Sequence, residues 1–500
     1  MRILYIDIDS LRPDHLGCYG YHRNTSPNID AIAREGVMFK QCYTPDAPCL
    51  PSRTAFYSGR FGIQTGVVGH GGTAAQPKVE GKFRKFQDVF DQQGLGRQLQ
   101  KLGFHTAMIS PFGQRHAAHW FYAGFNEIHN TGQGGMESAE VVKPVVDKWL
   151  SDNAAKDNWF LHINYWDPHT PYRAPAEVGE PFKDDPLPAW LEQPGLLEKH
   201  NKMAGPHTSM EIGMWWGDDD AKWPRHVGRI TDRERLRKHI NGYDTGIKFA
   251  DDQVGTIVAA LKSAGVYDDT AIIISADHGE NQGELGIYGE HGTADNATCR
   301  IPMIIKWPGG QAGIDDDELH YNVDFAPTLM ELLGGKAQPL WDGKSYAGTI
   351  KDGVADGWED MVVSQCAHVC QRSVRWGDYL YVRTYHDGFH LFPSEMLFDL
   401  DADPHEQIDL AEKCPELCRE GAWRLSRWHE AQMNKIAKVF PNDVSDPLWT
   451  VIAEGGPFHA LHEVGRSPLS HYLKRLEETG RGDAAAALRK KYPDSLPKKE

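Results

Sequence analysis

Short apolar runs, each leading into clustered carboxylates and imidazoles, constrain this chain more than any other feature. Ile3 to Ile8, Thr106 to Ile109, Phe160 to Tyr165 and Ala271 to Ser275 read as core strands, and Arg300 to Pro308 returns as another. Helical patterns stand between them. Ser26 to Gly36 has a cap, spaced apolar positions and a closing glycine, Asp88 to Leu102 is a second candidate, and Val323 to Thr328 begins a further helix. Arg233 to Gly265 reads as one long helix with Ile240, Tyr243, Ile247, Ala250, Val254, Ile257 and Leu261 near helical spacing. Alternation of this kind predicts an α/β fold, and such folds gather ligands at the carboxyl ends of their strands.

Those ends carry the polar residues. Asp7 and Asp9 lie two apart and point to one face of the first strand, with Asp9 at its end. The second run is followed by Ser110-Pro111-Phe112-Gly113-Gln114-Arg115-His116, the third by Asp167-Pro168-His169-Thr170-Pro171, and the fourth by Ala276-Asp277-His278-Gly279-Glu280. One further stretch, Pro48 to Arg60, reads as a turn entering a helix, with Pro51 in the first turn and Gly59 able to end it. Cys49 then sits at the helix N-terminus, where unpaired N–H groups and the helix dipole favour an anion.

Composition narrows the function classes. With 500 residues and 40% hydrophobic content the chain can bury a large core. Net charge is −17, with runs at Asp184-Asp185, Asp218-Asp219-Asp220 and Asp315-Asp316-Asp317, so neither nucleic acid nor an anionic membrane is an expected partner. No apolar run approaches eighteen residues, and Met1-Arg2 leads straight into the first strand; the expectation is a cytoplasmic protein. Of eight cysteines, Cys366/Cys370 and Cys414/Cys418, with His368 and His405 nearby, make a zinc site conceivable. Neither spacing is the two-residue knuckle, so free thiols are expected.

Cys49-Leu50-Pro51-Ser52-Arg53 followed by Ser58-Gly59-Arg60 resembles the signature of the type I sulfatases of the alkaline phosphatase superfamily, and the likeness extends by motif over roughly residues 1 to 410. The run Asp9 to Gly20 resembles the opening of iduronate- and choline-sulfatase types. The resemblance implies a large mixed, mostly parallel sheet sandwiched by helices over residues 1–350. Residues 351–500 would form a smaller subdomain in which Ser373 to Thr384 and Met396 to Leu400 are antiparallel strands, with helices over 411–440 and 467–492. The Pro-, Gly- and Trp-rich stretch 177–232 is expected as an insertion near the site mouth. Its tryptophans either stack on sugar rings or anchor the insertion.

The same resemblance implies chemistry. Cys49 would be oxidised by a separate formylglycine-generating enzyme to an aldehyde whose hydrate is the nucleophile, and Asp9, Asp277, His278 and position 49 would hold Ca²⁺ or Mn²⁺. Arg53 would orient the hydrate; His169 or His291 would protonate the leaving oxygen, and His116 would act as base. Arg115, His169 and His291 would contact the sulfate. Three departures from the family pattern stand out: Ser10 replaces a second aspartate, Arg115-His116 replaces a Lys-Trp-His segment, and Gly286 to Thr293 holds His291 where a lysine is usual. The expected function is hydrolysis of a sulfate ester on a small molecule or saccharide. The alternatives are a formylglycine-dependent phosphonate monoester or phosphodiester hydrolase and a non-catalytic sulfated-glycan binder.

Overall fold

A computed structural model describes residues 1–78, 89–441, 443–461 and 468–495. The described residues hold fifteen strands: β1 (Arg2–Ile8), β2 (Val37–Tyr43), β3 (Asp46–Ala47), β4 (His105–Ile109), β5 (Glu127–His129), β6 (Trp159–Tyr165), β7 (Thr270–Ser275), β8 (Asn281–Gln282), β9 (Tyr288–Glu290), β10 (Arg300–Lys306), β11 (Ile314–Tyr321), β12 (Asp360–Gln365), β13 (Cys370–Trp376), β14 (Tyr379–His386) and β15 (Glu395–Asp399). Eight of them form one sheet in the order β11-β2-β10-β7-β1-β6-β4-β5. Only β10 runs against its neighbours, β2 and β7; every other pairing in this sheet is parallel. The mostly parallel α/β sheet expected from the resemblance is therefore present, and the strands at its centre are buried along their whole length because both faces are covered.

Helices cover the two faces. On one, α1 (Pro27–Arg34) and the helix Ala139–Asn153 pack against the helix Arg233–Ser263. That long helix starts where Asp232 accepts a hydrogen bond from Arg235 N–H at 2.9 Å, and it buries the apolar stripe read from the sequence. On the other face lies α2 (Cys49–Ser58), against the helices Leu95–Lys101 and Phe325–Leu332. All ten residues of α2 are buried. Its end is set by Gly59, which adopts φ 66°, and a β-carbon there would stand 2.7 Å from the Trp341 ring.

The smaller antiparallel sheet has the order β15-β14-β13-β12-β3 and is covered by the helix Pro415–Val439. Its fifth strand comes from the other end of the chain: β3 pairs with β12 in parallel, Ser364 with Asp46 and Gln365 with Ala47. The turn that precedes Cys49 is thus held by the C-terminal sheet.

Two expectations change in detail. The helix expected over Asp88 to Leu102 is two, Val89–Gln93 and Leu95–Lys101, interrupted where Gly94 leaves helical geometry; Asp88 lies outside the described residues. The helical stretch 467–492 is likewise two helices, Pro468–Glu478 and Gly482–Lys491, and residue 467 lies outside the described residues. All eight cysteines are free thiols, and among the described residues no group of metal-ligating side chains includes Cys366, Cys370, Cys414 or Cys418.

Stretch 177–232 folds around its own apolar cluster of Leu187, Leu191, Leu196, Ile212, Val227 and Ile230, packed on Leu236, Ile240 and Tyr288. Its buried Glu211 accepts from Arg475 Nε and Arg481 Nη1, both at 2.8 Å, which fastens it to the C-terminal helix pair. The tryptophans serve this anchoring: Trp190 stacks on His405 with ring centroids 4.2 Å apart, and Trp215 meets Tyr472 at 5.0 Å. Among the described helices none is long and apolar enough to cross a membrane.

Replacing Gly59 tests how far α2 depends on its terminus. Gly59→Ala forces a side chain into left-handed backbone and against Trp341. The expected loss is about 1–2 kcal/mol from the backbone alone, more if Trp341 cannot move, read as a lower denaturant midpoint. An unchanged midpoint would contradict this account.

Candidate active site

The carboxyl ends of β1, β7, β6 and β4 converge on the N-terminus of α2. Asp9 leaves β1, and its N–H reaches across to the carbonyl of Tyr165 at 2.8 Å, tying the ends of β1 and β6 together. Asp277 and His278 leave β7. Ser52 on α2 donates its hydroxyl to the Asp277 carbonyl at 2.6 Å, which docks the helix on that strand end. Gly279 is needed in the same turn, since a β-carbon there would lie 2.0 Å from the Ala297 carbonyl oxygen.

Cys49, Arg53 and Tyr57 recur every four residues and so share one face of α2. Cys49 Sγ lies 3.1 Å from His278 Nε2. Arg53 donates from Nε to Asp7 Oδ2 at 3.0 Å and from Nη2 to Asp9 Oδ2 at 3.1 Å, and Nη2 lies 3.3 Å from Asp277 Oδ2. The guanidinium stands over the Phe112 ring at 4.4 Å. Tyr57 hydroxyl bonds His162 Nδ1, and His162 Nε2 lies 3.2 Å from Asp7 Oδ2. Asp7, His162 and Tyr57 thus form a second layer behind Arg53. The sequence reading placed Asp7 on the right face but gave it no partner, and His162 and Tyr57 were not singled out.

Burial and mutual charge set the protonation of this cluster. Burial alone would raise Asp9, but the Arg53 guanidinium overrides it and holds this carboxyl below the usual range. Burial, reinforced by the charge of Asp9, pushes Asp277 up to about 7 despite Arg53. The Cys49 thiol is pushed well up, first by burial and then by Asp9 and Asp277.

The donor set suits a divalent cation. The ligand atoms of Asp9, Cys49, Asp277 and His278 all lie within 4.8 Å of one another, and all four side chains are buried. Asp277 Oδ2 accepts no hydrogen bond. His278 donates Nδ1–H to the Gly279 carbonyl at 2.8 Å, so its Nε2 lone pair is turned to the cluster, the arrangement typical of an imidazole ligand. Ser10, at φ 61°, donates its hydroxyl to Asp9 Oδ1 at 3.0 Å and its N–H to Asp277 Oδ1 at 3.3 Å, orienting both carboxylates.

Above the cluster stand the histidines. His291 lies beside His278, ring centroids 4.1 Å apart, and His169 is 5.4 Å from His291. His291 Nε2 pairs with Glu290 Oε1 at 2.8 Å, and its Nδ1 is buried without a partner. His169 donates Nδ1–H to the Thr170 carbonyl. Burial is the first cause that takes His291 down to about 4 and His169 to about 3. His116 packs on Phe112 at 4.6 Å, leaves Nε2 buried and unpartnered, and is lowered by burial to about 3. Arg115 lies over the Trp166 ring at 4.9 Å and donates to the Gly135 carbonyl at 3.1 Å. Each residue named from the sequence therefore lies at or beside this edge.

Residues that the sequence did not mark join them. His70 accepts a hydrogen bond from Leu50 N–H at 3.3 Å and meets His459 at 3.1 Å between Nδ1 and Nε2. His459, in turn, stacks on His368 at 4.4 Å. No local signal could have found His70 and His459, because they come from a loop and a C-terminal segment; His368, in the turn between β12 and β13, stood out only beside Cys366 and Cys370.

Comparison with known proteins agrees with this architecture. Residues 2–335 match the family model described as Sulfatase, and residues 283–417 match one described as N-sulphoglucosamine sulphohydrolase, C-terminal. A multifunctional alkaline phosphatase superfamily protein, PehA, of Trinickia caryophylli is 25% identical over 462 residues, covering 77% of this chain and 85% of that protein. Iduronate 2-sulfatase of Mus musculus is 26% identical over 353 residues, covering 62% of this chain and 60% of that enzyme. The phosphonate monoester hydrolase of Agrobacterium radiobacter superposes with a TM-score of 0.66 at 20% identity, covering 86% of this chain and 96% of that one, and so shares the fold.

The Asp7 layer provides a test of the site's electrostatics. Asp7→Asn removes a buried charge from the guanidinium while preserving volume. It is expected to cost about 1–3 kcal/mol of stability, seen in urea unfolding, with Asp9 and Asp277 still in place. A variant as stable as the parent would show that Arg53 does not need its second layer.

Proposed function

The chain belongs to the sulfatase family of the alkaline phosphatase superfamily, and on that premise we propose that it hydrolyses a sulfate ester of a carbohydrate through formylglycine derived from Cys49 and a divalent metal. One observation carries this reading: Cys49 Sγ, His278 Nε2 and the carboxylates of Asp9 and Asp277 converge within 4.8 Å at the start of α2. The thiol sulfur marks where the oxygens of the oxidised side chain would stand. Formylglycine would supply, as its hydrate, a hydroxyl nucleophile that a cysteine side chain lacks. A metal would be held by Asp9, Asp277, His278 and position 49 and would supply Lewis acidity toward a sulfate oxygen. Ca²⁺ and Mn²⁺ both answer to two carboxylates, and the imidazole in the set favours Mn²⁺.

The remaining residues have separable roles. Arg53, fixed by Asp7 and Asp9, orients the side chain at position 49 one helical turn away. Arg115 and His169 bind the sulfonyl oxygens. His291 holds the proton destined for the leaving alcohol: Glu290 fixes its Nε2–H, and the free Nδ1 is the atom that gains and gives the proton. An anionic ester arriving beside His291 opposes the burial that otherwise keeps it neutral. His169, with Nδ1 committed to Thr170, can serve the same oxygen through Nε2. His116, through its unpartnered Nε2, takes the proton when sulfate is expelled from position 49.

The alcohol half of the substrate is placed, on this reading, against the segments that wall the site beyond His291. His207 of the 177–232 insertion, His368 of the small sheet and His459 of the C-terminal segment line that side. The name of the mouse relative, iduronate 2-sulfatase, supports a saccharide. A phosphonate monoester or phosphodiester hydrolase is the second reading, favoured by the fold shared with such an enzyme. The same nucleophile and metal set would serve both reactions.

Mass analysis of the peptide carrying Cys49, from protein made together with a formylglycine-generating enzyme, tests the nucleophile. The expected loss is about 18 Da, accompanied by sulfate release that Cys49→Ala abolishes. An unmodified cysteine in protein that still turns over aryl sulfate would refute it. Relative kcat/KM on aryl sulfate and on a phosphonate monoester then separates the two readings. For His291→Asn, the rate should drop about 10²–10⁴-fold on a sugar sulfate and far less on 4-nitrophenyl sulfate, whose leaving group needs no proton. Equal losses on both esters would remove His291 from the acid role.

A further inference from the structure

A second set of convergent donors stands beside the cluster that holds Cys49. His207 Nε2 lies 3.3 Å from Glu290 Oε2, and His368 Nε2 lies 3.7 Å from Glu290 Oε1. The ligand atoms of these three side chains all lie within 4.8 Å of one another, and all three are buried. Arms of about 2.0–2.1 Å at the tetrahedral angle put donors about 3.3–3.4 Å apart, which is the spacing of the closer pair; the 3.7 Å contact is beyond hydrogen-bond reach.

The orientation of His207 points the same way. Its Nδ1–H donates to the Ile212 carbonyl at 2.8 Å, so a neutral ring turns the Nε2 lone pair toward the Glu290 carboxylate. Two lone pairs facing each other repel unless a proton or a metal ion lies between them. The residue is also held at φ 59°, left-handed backbone that a side chain disfavours, by N–H bonds to the Glu211 and Met214 carbonyls at 3.0 and 3.2 Å. Strain and a pinned tautomer together aim one nitrogen at one carboxylate. The three donors come from separate regions: His207 from the insertion, Glu290 from the end of β9, and His368 from the turn between β12 and β13.

We propose that His207, Glu290 and His368 form a second metal centre, distinct from the Asp9–Cys49 cluster, which takes a zinc-class divalent cation through two imidazole nitrogens and one carboxylate. Such a donor set suits Zn²⁺, whereas Ca²⁺ and Mg²⁺ prefer oxygen throughout. Two neutral imidazoles and one carboxylate leave a net charge of about +1 with a divalent ion and room for a further ligand. The ion ties the insertion to the small sheet. Glu290, shared with His291, carries the effect toward the reaction site. Nothing in this inference requires the ester to be a sulfate.

The test is metal stoichiometry on the full chain, loaded with Zn²⁺ and dialysed against zinc-free buffer. Wild type is expected to retain about one zinc per chain more than the His207→Ala/His368→Ala variant, while Cys49→Ala/Asp277→Asn, with the other cluster dismantled, keeps that zinc. X-ray absorption on Cys49→Ala/Asp277→Asn should show imidazole nitrogens and no sulfur in the shell. Chelation should lower the melting midpoint of wild type and leave His207→Ala/His368→Ala unmoved. Should that variant fail to fold, the absorption spectrum decides alone. Equal zinc in wild type and the histidine variant, or a Cys49→Ala/Asp277→Asn protein without zinc, overturns the second centre and leaves the mass test at Cys49 untouched.

Discussion

Everything at the functional edge depends on one buried guanidinium among three carboxylates. Asp7 and Asp9 come from β1 and Asp277 from β7, adjacent strands whose carboxyl ends bring like charges together away from water. Buried charge without a partner is strongly destabilising, so the sheet requires a cation at this point. Arg53 meets that need from α2, and because its contacts are directional they also fix the rotation and depth of the helix. One guanidinium does not neutralise three carboxylates. The residual charge is relieved either by protonation of Asp277, pushed up to about 7, or by a second cation beside carboxylate oxygens such as Asp277 Oδ2, which accepts no hydrogen bond. On the proposed function, the charge balance of the fold and the place for a metal have one origin.

The spacing of α2 turns that balance into a reaction geometry. Cys49, Arg53 and Tyr57 follow one another at four-residue intervals, so the side chain that neutralises the carboxylates carries the nucleophile's position on one side and the Tyr57–His162–Asp7 layer on the other. A helix with this polar stripe cannot be an ordinary amphipathic surface helix, and it is buried along its whole length instead. The β3–β12 pairing adds a second constraint. It clamps the residues just before Cys49 into the small sheet, so that the C-terminal half of the chain helps determine where the helix begins.

What the sequence made legible follows from locality. Apolar runs and the residues at their ends are encoded within a few positions, so β1, β6 and β7 and the groups Asp9, His169 and Asp277-His278 could be read directly, and the Cys49–Arg53 spacing is a local signature on one helix. What it hid depends on distant pairing. His368 was legible only as a neighbour of Cys366 and Cys370, yet its ring meets His459 and approaches Glu290, because the β12–β13 turn is carried to the large sheet by β3. His70, His207 and Glu290 had no pattern at all. Within the helical candidate Asp88 to Leu102, Gly94 was the visible warning, but nothing local told whether tertiary packing would override it.

His291, where the family usually has lysine, and the neighbouring His169 change how charge enters the site. A buried ammonium keeps its charge before substrate arrives and must be offset permanently, by the same carboxylates that the proposed metal would use. An imidazole can wait neutral. Burial takes His291 to about 4 and His169 to about 3, so both are uncharged at neutral pH, each with one nitrogen fixed, by Glu290 or by the Thr170 carbonyl. An incoming anion reverses that preference, since it favours the charged form of any group it touches. Binding then brings a proton with it. On the proposed function, the positive charge that grips the sulfonyl oxygens and the proton that the leaving alcohol requires would be supplied in one event, and only when an anion is present to stabilise them.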